Sequence, residues 1–242
     1  MSGFSAEAAA AAKALRDAAD DNAHAFKGQL ATILASLEPL RRIVPEDNER
    51  AKRALTLIDA ALGRLTALID AARRLDHVAA ELLAASRTPI DLSRAVDAAL
   101  GKYRQAMTER GIVLRGKVEA GLSVSAGPGM LDAAIEAVLD NAVRFSPQGK
   151  AIAVSLRHVT EGAELVIEDE GPGIEPAALD GLFERFAALN APRREGQSKP
   201  TRIGIGLCAA QRYVQAAGGS IAAANRPSGG LAMRILLPLA GK

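Results

Sequence analysis

The chain has 242 residues, of which 49% are hydrophobic, so it is long enough for one large domain or two of ordinary size. Its 30 basic and 28 acidic residues leave a net charge of +2, which gives no reason to expect nucleic-acid binding by charge. The single cysteine, Cys208, excludes an internal disulfide framework and a cysteine-based zinc site, and it fits a reducing compartment such as the cytoplasm. No stretch approaches the roughly 20 apolar residues of a membrane helix, so we expect a soluble chain without a membrane segment.

Residues 6–85 are rich in alanine, leucine and charge, and their one strong break, at 44–48, predicts two helices joined by a turn. In each helix, apolar residues recur at alternating steps of three and four, which is a heptad seam. The seam residues are Phe26, Leu30, Ile33, Leu37 and Leu40 in the first helix, and Leu55, Ile58, Leu62, Leu65, Ile69 and Ala72 in the second. One hairpin cannot bury both seams, so the pattern predicts a homodimer that forms a four-helix bundle. Pro39 is expected to kink the first helix or end it early.

After Thr88 and Pro89 the composition shifts toward glycine and short β-rich runs, which predicts a domain boundary near residue 88. The predicted domains are therefore a helical hairpin, 1–88, and a second domain, 89–242. In the second, we expect helices at 91–110, 128–143 and 204–217, and strands at 112–118, 151–157, 163–168, 219–224 and 231–237. The predicted fold class is α+β: a hairpin forming a dimeric four-helix bundle, followed by an α/β sandwich with a mixed sheet.

The helix predicted at 128–143 carries an amide and a cation at its end. The side-chain oxygen of Asn141 can ligate Mg²⁺. Arg144, three residues later on the same helix face, can meet a phosphate. Taken alone, an ordinary polar helix end is the better interpretation of this stretch.

A second block, Asp169 to Gly173, follows the apolar run 165–167 directly. An aspartate at a strand end can accept a hydrogen bond from an exocyclic amine such as that of adenine. Gly171 and Gly173 would let the backbone pass close beneath a flat ring. For a lone D-x-G-x-G, a turn without function is the alternative.

Gly204 and Gly206 open the helix predicted at 204–217, where free backbone N–H groups and the helix dipole favour a phosphate. By itself G-x-G is a weak motif. The order of the blocks is more informative, because Asn141, the block at Asp169, a Leu-Phe-Glu-Arg-Phe segment at 182–186 and the two glycines follow one another at characteristic spacings. A chance assembly of all of them is improbable.

These blocks resemble the N, G1, F and G2 boxes of the histidine-kinase-type ATPases, a family shared with gyrase, the Hsp90 chaperone and mismatch-repair ATPases. The resemblance implies ATP and Mg²⁺ as cofactors, with Asn141 as the Mg²⁺ ligand and Asp169 as the adenine acceptor. It places Gly204 and Gly206 at the phosphates, at the edge of a mobile lid at 187–203. The other nucleotide-site residues that it implies are Arg144, Phe145, Gly171, Gly173, Ile174 and Leu207.

In the hairpin, the segment 24–30, His-Ala-Phe-Lys-Gly-Gln-Leu, resembles the H box of sensor histidine kinases, usually His-Glu-Leu-Arg-Thr-Pro-Leu. With Phe26 and Leu30 in the seam, His24 falls outside it, on the exterior of the bundle, where a phosphoacceptor must be. The resemblance implies a kinase that autophosphorylates His24 from ATP. It also implies, as partner, a response-regulator receiver domain whose aspartate receives the phosphoryl group.

Four positions depart from the family pattern, and one of them is Gln29, where the H box usually has proline. Ala25 stands where an acidic residue normally accepts the imidazole proton, and Gly28 stands where Thr or Asn orients water for phosphatase chemistry. Ala137 replaces the usual asparagine of the N box, and gyrase-type relatives carry a glutamate base there, so gyrase-like water activation is not expected. One alternative is a degenerate kinase that acts as a dimeric phosphorelay or a nucleotide-controlled binding module. Another is a serine kinase of the anti-sigma-factor type, against which the hairpin argues.

Overall fold

The structure, a computed structural model, describes residues 2–45, 47–184 and 204–241. The chain divides into two compact units, a helical one that extends to Ala84 and a mixed one that begins at Ala85. Within the described ranges, no helix combines the length and apolarity that crossing a membrane requires.

The helical unit is a hairpin of α1 (Ser2–Ile43) and α2 (Glu49–Ala84). Five of the eleven predicted seam residues pack between the two helices: Leu30, Leu37 and Leu62 are buried, with Leu55 and Ile69 against them. The expected early end of α1 is wrong, because the helix continues through Pro39 to Ile43. Pro39 lies one turn from the helix end, where a missing N–H removes a single bond of the ladder.

The rest of the seam is exposed in the single chain. Its large side chains are between 39% exposed, for Ile58, and 59% exposed, for Phe26. We call this set the outer stripe: Phe26, Ile33, Leu40, Ile58 and Leu65. A row of large apolar side chains facing water is typical of an interaction surface.

The second unit is a sheet with helices on one face. Its elements are β1 (Thr88–Asp91), α3 (Leu92–Glu109), β2 (Val113–Val118), β3 (Ser123–Ala126), α4 (Met130–Phe145), β4 (Ala151–Val159), β5 (Gly162–Glu168), α5 (Pro176–Leu179), α6 (Gly206–Ala216), β6 (Ser220–Asn225) and β7 (Leu231–Leu237). Five strands are ordered β2-β4-β5-β7-β6, and only β2 and β4 pair in parallel. The predicted mixed sheet and α+β class are confirmed. The short elements β1, β3 and α5 were not predicted.

The core lies between the helices and the inner face of the sheet. Alternate residues of the central strands are almost fully buried, as are the facing residues of α4; examples are Ile152, Leu156, Leu165, Ile167 and Leu139. This alternation is what period-two side-chain geometry requires of a sheet covered on one face. As a result, the strand end after β5, the end of α4 and the start of α6 are held by a rigid framework.

Candidate functional site

Asp169 follows β5 directly and is only 4% exposed. Its Oδ1 accepts hydrogen bonds from the backbone N–H groups of Gly171, at 2.8 Å, and Leu231, at 3.1 Å. Burial raises the pKa of Asp169 above its ordinary value, and these two bonds and the charge of Arg226 oppose that rise. Both amides engage Oδ1, so Oδ2 is the oxygen to which a ligand amine could donate. A buried carboxyl group with a perturbed pKa is typical of a functional site.

The turn after Asp169 requires glycine for reasons internal to the protein. A Cβ on Gly171 would stand 2.8 Å from the carbonyl oxygen of Phe145, at the end of α4. Gly173 has a φ of +67°, and a Cβ there would stand 2.8 Å from Oδ1 of Asn225. These contacts bring the turn against α4 on one side and β6 on the other. Contact of this backbone with a nucleotide ring stays a prediction.

The connection between β6 and β7 holds the same turn, a role that was not predicted from the sequence. Asn225 accepts from the backbone N–H of Ile174 at 2.8 Å and donates to its carbonyl oxygen at 2.6 Å. Arg226 donates through Nη1 to the carbonyl oxygen of Asp169 at 2.6 Å. A Cβ on Gly230 would overlap that same carbonyl group. The only signal in the sequence was a turn-like Asn-Arg-Pro-Ser-Gly-Gly run, which does not say what the turn contacts.

The start of α6 meets the face of α4 that carries Asn141. A Cβ on Gly206 would stand 3.6 Å from Cβ of Ala137, which lies one turn before Asn141 on the same face. Gly204, just before the helix, has a φ of +73°. The structure therefore brings the predicted phosphate-binding glycines and the predicted Mg²⁺ ligand to one place.

The other predicted nucleotide-site residues differ in how exposed they are. Phe145 is 45% exposed, and the guanidinium carbon of Arg144 lies 5.3 Å from the centroid of its ring. Leu207 is buried, so its side chain belongs to the core. The predicted lid, 187–203, lies outside the described residues.

The residues around Asn141 fit a lightly held Mg²⁺ ion. The described part of the chain contains no group of three or more His, Cys, Asp or Glu side chains that could cage a metal. Mg²⁺ usually keeps several waters and takes few protein ligands where phosphates supply the rest. One amide oxygen, from Asn141, fits that arrangement. Glu136, the acidic residue next to Ala137 in α4, forms an ion pair with Lys102 of α3, at 2.7 Å, so its carboxylate already has a protein partner.

His24 is exposed on α1, as the heptad pattern predicted. Its neighbours one turn away on either side connect α1 to α2. Lys27 forms an ion pair with Asp70 of α2, at 2.6 Å. Oδ1 of Asp20 lies 3.2 Å from Nη1 of Arg73 and 3.0 Å from Nε2 of His77. His24 therefore lies on a segment of α1 that polar contacts connect to α2 on both sides.

Comparison with known proteins agrees with this geometry. Residues 127–241 match the family described as histidine kinase-, DNA gyrase B-, and HSP90-like ATPase. The chain is 27% identical over 228 residues to the signal transduction histidine-protein kinase BaeS of Escherichia coli (strain K12), covering 93% of this chain and 47% of that protein. It is 34% identical over 155 residues to the sensor protein CutS of Streptomyces coelicolor, covering 63% of this chain and 36% of that protein. The chain thus spans less than half the length of these curated relatives.

A solved structure of a mycobacterial sensor histidine kinase, MprB, is also similar. It has a TM-score of 0.51 and 29% sequence identity, and the match covers 64% of this chain and 98% of that one. Residues 127–241 are an ATPase domain of the histidine kinase, gyrase and HSP90 type, and over 93% of its length the chain is similar to a sensor histidine kinase.

Proposed function

We propose that this chain is a histidine protein kinase core in which His24 takes the γ-phosphoryl group of ATP and passes it to an aspartate of a response-regulator receiver domain. The observation that carries the proposal is the buried Asp169, held at a strand end by a turn that α4 and the β6–β7 connection both support. We infer that residues 1–88 serve dimerisation and phosphotransfer, and that residues 89–242 bind ATP. We also propose that the reaction takes place in the cytoplasm.

Recognition of ATP follows from the groups at the site. The exocyclic amine of adenine donates to Asp169, which otherwise buries a carboxyl group at a free-energy cost. The N–H groups at Gly204 and Gly206, at the start of α6, face the phosphates, and Arg144 supplies a positive charge nearby. Mg²⁺, held through Asn141 together with phosphate oxygens and water, would neutralise charge on the phosphates.

The acceptor chemistry is phosphoryl transfer to nitrogen. An imidazole nitrogen of His24 forms a bond to the γ-phosphorus, the bond to the bridging oxygen breaks, ADP leaves, and the second imidazole nitrogen releases its proton. Most histidine side chains carry a neutral nitrogen at neutral pH. Ala25 supplies no carboxylate to accept the proton, and positioned general-base help is typically worth roughly 10²–10⁴-fold. We therefore expect slow autophosphorylation, and Gly28 removes the side chain expected to orient water for phosphatase activity.

The outer stripe supports a homodimer. Side chains such as Phe26 and Ile33 are half exposed and spaced as a coiled-coil seam, and the same stripe on a second copy is their natural complement. Two hairpins paired in this way would form a four-helix bundle that leaves His24 on the outside.

The test is incubation of the full chain with γ-labelled ATP and Mg²⁺. We expect protein-bound label that is lost in acid and retained in alkali, as for a phosphoramidate. His24→Gln should abolish it. His158→Gln is the matched control, because His158 donates to Glu119 through its backbone N–H and its side chain is exposed. Label that persists in His24→Gln would exclude His24 as the acceptor.

Ala25 and Gly28 favour a second candidate function, a degenerate kinase that acts as a dimeric phosphorelay or as a nucleotide-controlled binding module. Such a protein would bind ATP in the same site without labelling itself. It would become labelled when incubated with a phosphorylated receiver domain, or would only change its partner affinity when ATP is added. The labelling experiment above therefore separates the two candidates.

A further inference from the structure

Ser146 is a buried residue whose hydroxyl group makes no hydrogen bond within the described part of the chain. It follows α4 directly and is 2% exposed. Its Oγ has no hydrogen-bond partner among the residues that the structure describes. Buried hydroxyl groups are nearly always hydrogen-bonded, because leaving one unsatisfied is costly. Such an atom beside a ligand site indicates a ligand or an ordered water.

Ser146 is next in the chain to a residue that contacts the candidate nucleotide site. The carbonyl oxygen of Phe145, the preceding residue, and Oδ1 of Asp169 stand 2.8 and 2.9 Å from the place of a Cβ on Gly171. Ser146 is therefore covalently attached to a group that lies beside the carboxyl of Asp169. Its backbone is extended, with a ψ of 125°, as expected for the residue before Pro147. The backbone of Ser146 therefore starts from a carbonyl group that lies beside the nucleotide site.

We infer that Ser146 is a further nucleotide-binding residue, whose hydroxyl donates to ring nitrogen N1 of adenine, directly or through one bound water. The inference rests on the proposed ATP binding and adds a specificity element to it. Adenine carries its exocyclic amine and the acceptor N1 side by side on one edge. Asp169 accepts from the amine, and Ser146 donates to the acceptor next to it. Guanine presents a carbonyl oxygen where adenine has the amine, so the same pair of residues disfavours guanine nucleotides.

A second buried serine provides the contrast. Ser93, in α3, is 4% exposed. Its Oγ donates to the carbonyl oxygen of Glu119 at 2.7 Å and accepts from the N–H of Leu122 at 3.1 Å. The hydroxyl of Ser93 is thus used for folding, whereas that of Ser146 is available to a ligand. Ser93→Ala is the matched control for Ser146→Ala.

The experiment measures two properties of the full chain, its affinity for nucleotides by calorimetry and its unfolding temperature. The probes are ATP with Mg²⁺ and 1-deaza-ATP with Mg²⁺, in which a C–H group replaces N1. We expect Ser146→Ala to bind ATP about 2- to 10-fold more weakly than the wild type, the worth of one neutral hydrogen bond. Both proteins should bind 1-deaza-ATP equally. Ser146→Ala should unfold at the same temperature as the wild type or higher, while Ser93→Ala should unfold lower and bind ATP normally.

Three outcomes would overturn the inference. One is unchanged ATP affinity in Ser146→Ala. Another is an equal loss of affinity for ATP and for 1-deaza-ATP, which would mean that the hydroxyl does not act through N1. The third is a drop in unfolding temperature like that of Ser93→Ala, which would reveal a structural partner for Oγ. If the wild type itself binds no ATP, the proposed function fails. If the wild type binds ATP and one of the three outcomes is found, only the role of Ser146 fails.

Discussion

Replacing Asp169 by asparagine should separate nucleotide binding from folding. The asparagine Oδ1 can still accept from the N–H groups of Gly171 and Leu231, so the turn should keep its hydrogen bonds. Its amide, however, presents N–H donors where the carboxylate offered an oxygen to the amine of adenine. Such a mismatch costs roughly 1–3 kcal/mol, which corresponds to a loss of about 5- to 150-fold in ATP affinity.

The same variant has a predicted effect on stability, and its sign follows from the raised pKa of Asp169. A carboxyl group whose pKa is higher in the folded state favours folding when protonated, and that advantage is lost as the pH rises through the folded pKa. Above its folded pKa, the ionised, buried Asp169 therefore lowers the free energy of unfolding. We expect Asp169→Asn to be at least as stable as the wild type near pH 7, with the difference shrinking as the pH falls through the folded pKa.

Calorimetric titration with ATP and Mg²⁺ would measure the affinity. Denaturant unfolding from pH 7 down through the folded pKa of Asp169 would measure the stability. Asp97→Asn is the control, since Asp97 is an exposed carboxylate of α3 and its change should alter neither quantity. Unchanged ATP affinity in Asp169→Asn would refute the assignment of the adenine acceptor. A large loss of stability near pH 7 would refute the argument from burial.

Three further predictions concern the acceptor, the dimer and the turn. Ala25→Glu should speed His24 labelling by γ-labelled ATP, by up to roughly 10²–10⁴-fold; an unchanged rate would mean that the missing base is not what limits the kinase. Ile33→Glu, in the outer stripe, should convert a dimer at micromolar concentration into a monomer by light scattering, whereas Leu57→Glu, exposed but outside both seams, should not; a monomeric wild type would contradict the dimer. Gly230→Ala should lower the free energy of unfolding by about 1–3 kcal/mol or more, because the added Cβ overlaps a backbone carbonyl. Gly229→Ala, with a similar positive φ but open space, should cost less in the same denaturant assay, and equal losses would remove the clash as the cause.

Local patterns in the sequence were enough to predict the helices and strands that carry the site. The heptad spacing predicted two helices and placed His24 outside the seam, and in the structure it is exposed. The strand that ends before Asp169 was predicted at 163–168 and is found at Gly162–Glu168. These predictions succeeded because side-chain periodicity is a property of neighbouring residues and reports directly on helix or strand geometry.

Contacts between distant parts of the chain were decided only by the tertiary structure. No local pattern connects Asn225 with Ile174, or Arg226 with the carbonyl of Asp169, although these bonds hold the turn at the site. The strand β1 was missed because its four residues are too few to show a period, and its strand character comes from pairing with β3. The sequence by itself determined which segments become helices and strands and which residue types could bind a nucleotide. Packing between segments decided which of those residues meet, because such contacts depend on surfaces formed only when the whole chain has folded.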